Sequence, residues 1–145
     1  MYKQKVKTEI SPSIGEVYLM RFNGEGSEQS GVRPGVVFQN NVGNANSPNI
    51  IALPLTSSLK KLHMPTHVLL KAQETGLLKD SVVLCENPEK MSKDRVGELL
   101  TVLPDSDMRR IAIAHLLATS AISFIDKESL INVWERAAEL NYKTA

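Results

Sequence analysis

Residues Gly26–Asn44, GSEQSGVRPGVVFQNNVGN, place a turn-forming segment (Gly26, Ser27, Ser30, Gly31), an arginine, a proline and an apolar run (Val36, Val37, Phe38) within nineteen residues. A proline drives the residue before it out of the helical region, so Arg33 is expected to be extended and to lead into a strand over Gly35–Gln39. A guanidinium is well displayed there. The glycines of the polar segment from Asn23 to Gly31 are too many for a packed element and suit a flap in front of Arg33.

On the N-terminal side, Glu16–Phe22 reads as a strand in which Val17 and Leu19 alternate with Tyr18 and Met20. Both faces are apolar, which fits a small barrel or a strand covered on both sides. Residues 1–13 form a polar lead-in closed by Ser11, Pro12 and Ser13. On the C-terminal side, Asn40–Pro48 is dense in turn residues and predicts a loop or hairpin connection. A third strand, Asn49–Leu55, ends at three hydroxyls, Thr56, Ser57 and Ser58, with Pro54 marking an edge or a bulge. Lys60 and Lys61 add local positive charge. Thr66–Lys71 gives a fourth strand, Glu74–Leu78 a bend around Gly76, and Asp80–Glu86 a fifth strand broken by Asn87 and Pro88.

From Ser92 the apolar period moves from two toward three and four. A short helix is expected over Ser92–Leu100 and a longer one over about Ser106–Ala121, with Met108, Ile111, His115, Ala118 and Ile122 on one stripe. Asp126 caps a last helix, with Ile125 and Leu130 placed as a hydrophobic staple and Leu130, Trp134 and Ala137 sharing a face. Short strands followed by helices predict an α+β domain, built on a strongly bent antiparallel sheet or small barrel. Parallel wiring is excluded for want of crossover helices between the strands.

Composition narrows the function. At 145 residues and 42% hydrophobic the chain suits one domain with a real core. Seventeen basic against sixteen acidic residues leave a formal net charge of +1, so any contact with nucleic acid must be local. A single cysteine, Cys85, forms no internal disulfide, in keeping with a reducing cytoplasm. The longest uncharged run, Ile111–Ile125, is fifteen residues, short of the roughly 18 a spanning helix needs. Neither a membrane span nor a signal peptide is expected.

Arg33 supplies a planar fork of five donors matched to phosphate oxygens, the bland alternative being a surface ion pair. Thr56, with Ser57 and Ser58, is a donor to a phosphate or a turn residue. Glu86 ends a strand and suits a general base if its proton affinity is raised. His63 and His67 share a strand spacing that invites a metal reading with Cys85 or His115, but the leucine-rich setting favours structural histidines, and no metal or cofactor is expected. Cys85 reads as a buried strand residue, and Trp134 as a side chain that packs the last helix down.

Gly15 with Val17 and Tyr18, GSEQ (Gly26–Gln29), VRP (Val32–Pro34), QN (Gln39, Asn40), SP (Ser47, Pro48), Thr56, PTHV (Pro65–Val68) and DSVVL (Asp80–Leu84) follow one another as in MazF/PemK toxins, and the chain resembles that family from about Ile14 to Leu117. The resemblance implies a small SH3-like barrel with C-terminal helices and a homodimer. It further implies cytoplasmic, metal-independent, sequence-specific cleavage of single-stranded RNA, blocked by a cognate antitoxin. Under it Arg33 and Thr56 match the two catalytic positions and Glu86 an acidic position near the reaction. Glu28, Gln29, Asn40 and Ser57 would line the base-reading groove. The division it suggests is a lead-in over 1–13, a toxin domain over 14–122 and a helical extension over 123–145. Glu89 departs from the family, which usually carries arginine there, and favours a competing reading: a binding or regulatory protein that keeps the fold and an antitoxin-like ligand without the nuclease. A gyrase-poisoning relative of the same fold is a third, which GSEQ and VRP disfavour.

Overall fold

Strand β1 (Glu16–Asn23) is buried on both sides over its first half: Val17 enters one apolar cluster while Tyr18, Met20 and Phe22 enter another, and Arg21 and Asn23 are exposed. This is the outcome its two apolar faces require, and it organises the whole computed structural model, which describes residues 11–23 and 30–143. Seven strands are described: β1, β2 (Ser30–Val37), β3 (Asn49–Thr56), β4 (His67–Leu70), β5 (Ser81–Leu84), β6 (Glu89–Ser92) and β7 (Val96–Val102). They form one antiparallel sheet in the order β4-β5-β3-β2-β1-β7, with β6 also paired to β3.

One face carries Val17, Val36, Leu53, Leu55, Val68, Leu70, Val83 and Cys85, and is closed by Ile111 and Ala114 of a helix, α3 (Asp105–Ala118). The other is rolled on itself, so that Tyr18, Met20, Phe22, Val37, Ile50, Ala52, Met91 and Val96 pack together. A single 3-10 turn, Lys93–Arg95, joins β6 to β7, yet among the described residues these two strands do not pair. The expected barrel is therefore an open roll. Its closing seam is a turn, with the Ser92 hydroxyl accepting from Asp94 N at 3.3 Å, rather than a ladder.

Pro54 lies in a central strand, contrary to the edge position its lack of an N–H suggests. It sits where β3 changes partner, since residues Asn49–Ala52 pair with β6 and Leu55–Thr56 with β5. A missing donor is tolerated at such a break. The helix expected over Ser92–Leu100 is instead the end of β6, the 3-10 turn and β7. A cap at Ser92 and charges in the next turn imitate a helix start, but pairing with β1 decides the outcome, and Gly97 permits it: a Cβ there would lie 3.1 Å from the Leu19 carbonyl oxygen. Asn40–Pro48, expected as a loop, contains a one-and-a-half-turn helix, α1 (Asn41–Asn46), capped by Asn40. A second short helix, α2 (Ala72–Thr75), ends at Gly76 in the left-handed conformation, φ 84°.

After α3 come α4 (Ala121–Phe124) and α5 (Lys127–Glu139). The Asp126 carboxylate accepts from Ser129 N at 2.8 Å, the expected cap, and this hydrogen bond holds its proton affinity below the ordinary carboxylate value. No residue of α5 is buried; Trp134, expected to pack the helix down, is 62% exposed. No described helix is long and apolar enough to cross a membrane.

Candidate active site

Arg33 stands in the middle of β2, paired across to Met20 of β1. Strand β2 faces β3 with Val37 opposite Ala52, Val36 opposite Leu53 and Gly35 opposite Pro54. The described pairing of β2 with β3 runs from Val37 to Gly35; extended by two residues on each strand, the same register would set Arg33 across from Thr56, the last residue of β3. Directly opposed residues of an antiparallel pair share a face and bring their Cβ atoms to about 5 Å. Thr56 pairs onward with Val82, and Val82 with Leu69. With that extension, Leu69, Val82, Thr56, Arg33 and Met20 would form one row across five strands on the face of the rolled core. Met20 and Val82 are fully buried, whereas Arg33 and Thr56 are half-buried. A cation and a hydroxyl set between apolar neighbours act on a ligand with less screening than either would in water.

Gly35 explains how the core lets this row form. A Cβ at that position would come within 2.7 Å of Phe22 Cζ and 2.8 Å of Met20 Sδ. Only glycine leaves these two buried side chains room beside Arg33. The strand continues to Asn23, after which residues 24–29 lie outside the description; Glu28 and Gln29, two expected base-reading residues, fall there.

The Thr56 hydroxyl oxygen accepts a hydrogen bond from Ser58 N at 3.2 Å. With one lone pair so engaged, its O–H is oriented to donate elsewhere. Ser57 follows directly and is exposed, as are Lys60 and Lys61. The loop after β3 therefore adds positive charge and hydroxyls directly after Thr56 in the chain.

Glu86 and Asn40 are not brought to this row. Thr56 pairs with Val82, and Glu86 lies four residues farther on, past the end of β5. There its carboxylate meets His67 Nε2 at 2.9 Å. Asn40 stands beyond the opposite end of β2, its Oδ1 accepting from Gly43 N at 2.9 Å. It lines an open cleft of about 510 Å³ with Gln39, Ile51, His115 and Thr119. Glu89 is not a bare acidic charge. Its Oε2 takes Arg95 Nη2 at 3.1 Å and Asn23 N at 3.2 Å, so the acid is neutralised and ties β6 to the end of β1.

The three histidines are spread over separate elements. His63 is exposed, His67 opens β4, and His115 lies 3.1 Å from the Cys85 carbonyl oxygen and edge-on to Phe38. Among the described residues no group of three His, Cys, Asp or Glu side chains is placed to hold a metal ion. Cys85 is fully buried, and burial with the neighbouring Glu86 carboxylate pushes its thiol up to about 12. The thiolate is then negligible at pH 8. Iodoacetamide at pH 8 is expected to leave Cys85 of the native protein unmodified while labelling it fully in 6 M guanidinium; rapid native labelling would contradict this burial.

His67 reads from sequence as a structural histidine, but its partners Lys61 and Glu86 are not legible there; the one local signal of its place is its position at the first residue of a strand beginning HVLL.

Comparison with known proteins follows the same lines. Residues 13–118 match the family described as PemK-like, MazF-like toxin of type II toxin-antitoxin system. The chain is 41% identical over 98 residues to a protein named Endoribonuclease MazF from Staphylococcus saprophyticus, covering 67% of this chain and 82% of that one. A crystal structure of MazF from Deinococcus radiodurans superposes with a TM-score of 0.65 at 26% identity, over 77% of this chain and 100% of that one. A mycobacterial endoribonuclease in complex with its cognate antitoxin gives 0.60 at 26% identity, over 74% and 93%.

Proposed function

Since the chain belongs to the PemK-like, MazF-like family of type II toxins, we propose that it is a sequence-specific endoribonuclease that cleaves single-stranded RNA without a metal ion. The observation that supports the chemistry is the β2–β3 register, which, extended two residues past Gly35 and Pro54, places the half-buried Arg33 and Thr56 opposite each other. In the proposed step the 2′-hydroxyl of the RNA attacks the adjacent phosphorus. A P–O2′ bond forms and the P–O5′ bond breaks. The 2′ proton passes to water and the departing 5′ oxygen takes one up, leaving a 2′,3′-cyclic phosphate and a 5′-hydroxyl. Arg33 stabilises the negative charge that builds on the phosphorane, and Thr56 donates its hydroxyl proton to a non-bridging oxygen. Neither group transfers electrons, so no cofactor enters.

Ser57 and the residues around the β1–β2 connection, Glu28 and Gln29 among them, are the proposed readers of unpaired bases, with Asn40 at the far end of β2. A cognate antitoxin is the proposed neutralising partner, by analogy with the mycobacterial pair. Homodimerisation is supported by the uncovered apolar side chains of α3, where Ile113 is 62% and Leu117 55% exposed. The chain's place of action is proposed to be the cytoplasm. The competing non-catalytic reading loses its main support, because the Glu89 charge is paired with Arg95.

The test is a long single-stranded RNA incubated with purified protein in excess EDTA, with all new 5′ ends mapped. Cuts at one short word, bearing 5′-hydroxyl ends and lost in Thr56→Ala, are expected. Intact RNA from folded protein, or cutting that EDTA stops, would overturn the proposal.

A further inference from the structure

The loop that follows Thr56, residues 57–66, is tied down at its start and middle as well as at its end, where the Met64 carbonyl oxygen accepts from His67 N and that of Thr66 from Cys85 N. At its start Ser58 N donates to the Thr56 hydroxyl at 3.2 Å. Three residues on, the Lys61 carbonyl oxygen lies 2.9 Å from His67 Nδ1 and accepts Met64 N at 3.2 Å. The other nitrogen of the same ring, Nε2, meets Glu86 Oε2 at 2.9 Å. The His67 side chain is only 7% exposed, and Glu86 33%.

A carbonyl oxygen only accepts, so a hydrogen bond to Lys61 requires the hydrogen on Nδ1, and one to Glu86 requires a hydrogen between Nε2 and the carboxylate. The ring lies within hydrogen-bond distance of a partner at both ends. His67 is the first residue of β4 and pairs with Leu84, so the ring is mounted on the sheet, not on the loop. Glu86 is held in turn by the bend after β5, where Asn87 N bonds to the Leu84 carbonyl and Cys85 N to the Thr66 carbonyl, both near 3 Å.

We infer that His67 and Glu86 form a positioning clamp: Glu86 fixes the imidazole, the imidazole fixes the Lys61 carbonyl, and the fixed loop holds Ser58 N against the Thr56 hydroxyl. This rests on Thr56 being the phosphate donor proposed above. It gives Glu86 a role other than proton abstraction. The carboxylate is engaged with a nearly buried ring four residues beyond Val82, the partner of Thr56. Thr56 needs its acceptor lone pair occupied and its O–H aimed at the phosphate, and a hydroxyl misdirected by about 1 Å is enough to lose up to about 100-fold in rate. His67 and Glu86 are positioning residues, and neither touches RNA in this scheme.

Two readouts test the clamp. The first is amide hydrogen exchange at Ser58, which needs no activity: His67→Ala and Glu86→Ala are expected to speed it by about tenfold or more, Glu86→Gln by little, because the amide offers either a donor or an acceptor to Nε2. The second is single-turnover cleavage. His67→Ala and Glu86→Ala are expected to lower kcat about 10- to 100-fold with KM nearly unchanged, and Glu86→Gln to restore most of what Glu86→Ala loses. In the Thr56→Ala background His67→Ala is expected to cost nothing further. His67→Asn, whose amide still donates toward Lys61, serves where His67→Ala melts too low to assay. An unchanged Ser58 exchange rate in His67→Ala overturns the clamp, as does a Glu86→Gln enzyme as poor as Glu86→Ala, which would make the carboxylate itself the base. A wild-type protein that leaves RNA intact would count against the nuclease proposal alone, and Ser58 exchange would still decide whether the clamp exists.

Discussion

Arg33→Ala is expected to lower single-turnover cleavage by about 100- to 1,000-fold, the scale on which a lost charge-stabilising donor weakens a transition state. The loss should fall on kcat, because Arg33 is proposed to meet charge that grows only as the phosphorane forms. Arg33→Lys is expected to recover little of it: an ammonium is a point charge on a flexible stem and cannot present two parallel N–H groups to one phosphate. The measurement is cleavage of a short RNA carrying the mapped word, with circular dichroism confirming that each variant is folded. An Arg33→Ala protein that cuts at the wild-type rate would remove Arg33 from the chemistry.

The second large effect concerns stability. Ile111 is fully buried and, with Ala114, supplies the apolar contact of α3 with the sheet. Ile111→Ala removes three carbons from a cluster that includes Val17, Leu53 and Val83, and is expected to cost about 2–5 kcal/mol. For a chain of this size that corresponds to a fall in Tm of roughly 10 °C. Leu78→Ala is the control: Leu78 is 100% exposed, and its change should stay within about 0.5 kcal/mol. Urea unfolding of the two variants side by side decides the matter, and an Ile111→Ala midpoint equal to that of Leu78→Ala would mean that α3 is not held by this contact.

The strands were legible because burial on both faces leaves apolar runs that few other structures explain. Val17–Met20, Val36–Phe38, Asn49–Leu55 and Ser81–Leu84 all fall in strands or run straight on from them. Residues 92–100 were misread because local signals and the sheet disagree there. Ser92 caps a turn of three residues, after which pairing of Val96 with Met20 outweighs any helical preference. In Asn40–Asn46 the error ran the other way. Asparagines that usually break helices here support one, since Asn40 caps α1, while Asn44 bonds the Gln39 carbonyl at 2.8 Å and Asn41 Oδ1 at 2.9 Å. Arg33 and Thr56 are 23 positions apart, and nothing local in either says that they face each other. Their shared row depends on the β2–β3 register, and only the resemblance pointed to it. His67 was visible as a residue but not as a clamp, because its partners Lys61 and Glu86 come from two separate connections.

The two-sided burial of β1, β2 and β3 also bears on how such a protein can change over time. A strand with one wet face can accept polar substitutions at every second position. These three have few such positions, Arg21, Asn23, Val32 and Ile51 among them, so much of the variation is channelled to their ends and to the connections between them. Thr56, the last residue of β3, Ser57 and the loop beside them stand at such places. Under the proposed function, mutations that alter the RNA word or the antitoxin contact would therefore accumulate at the rim with little damage to the fold. A lineage of such toxins can diversify its targets and its inhibitors together while the sheet beneath stays nearly the same.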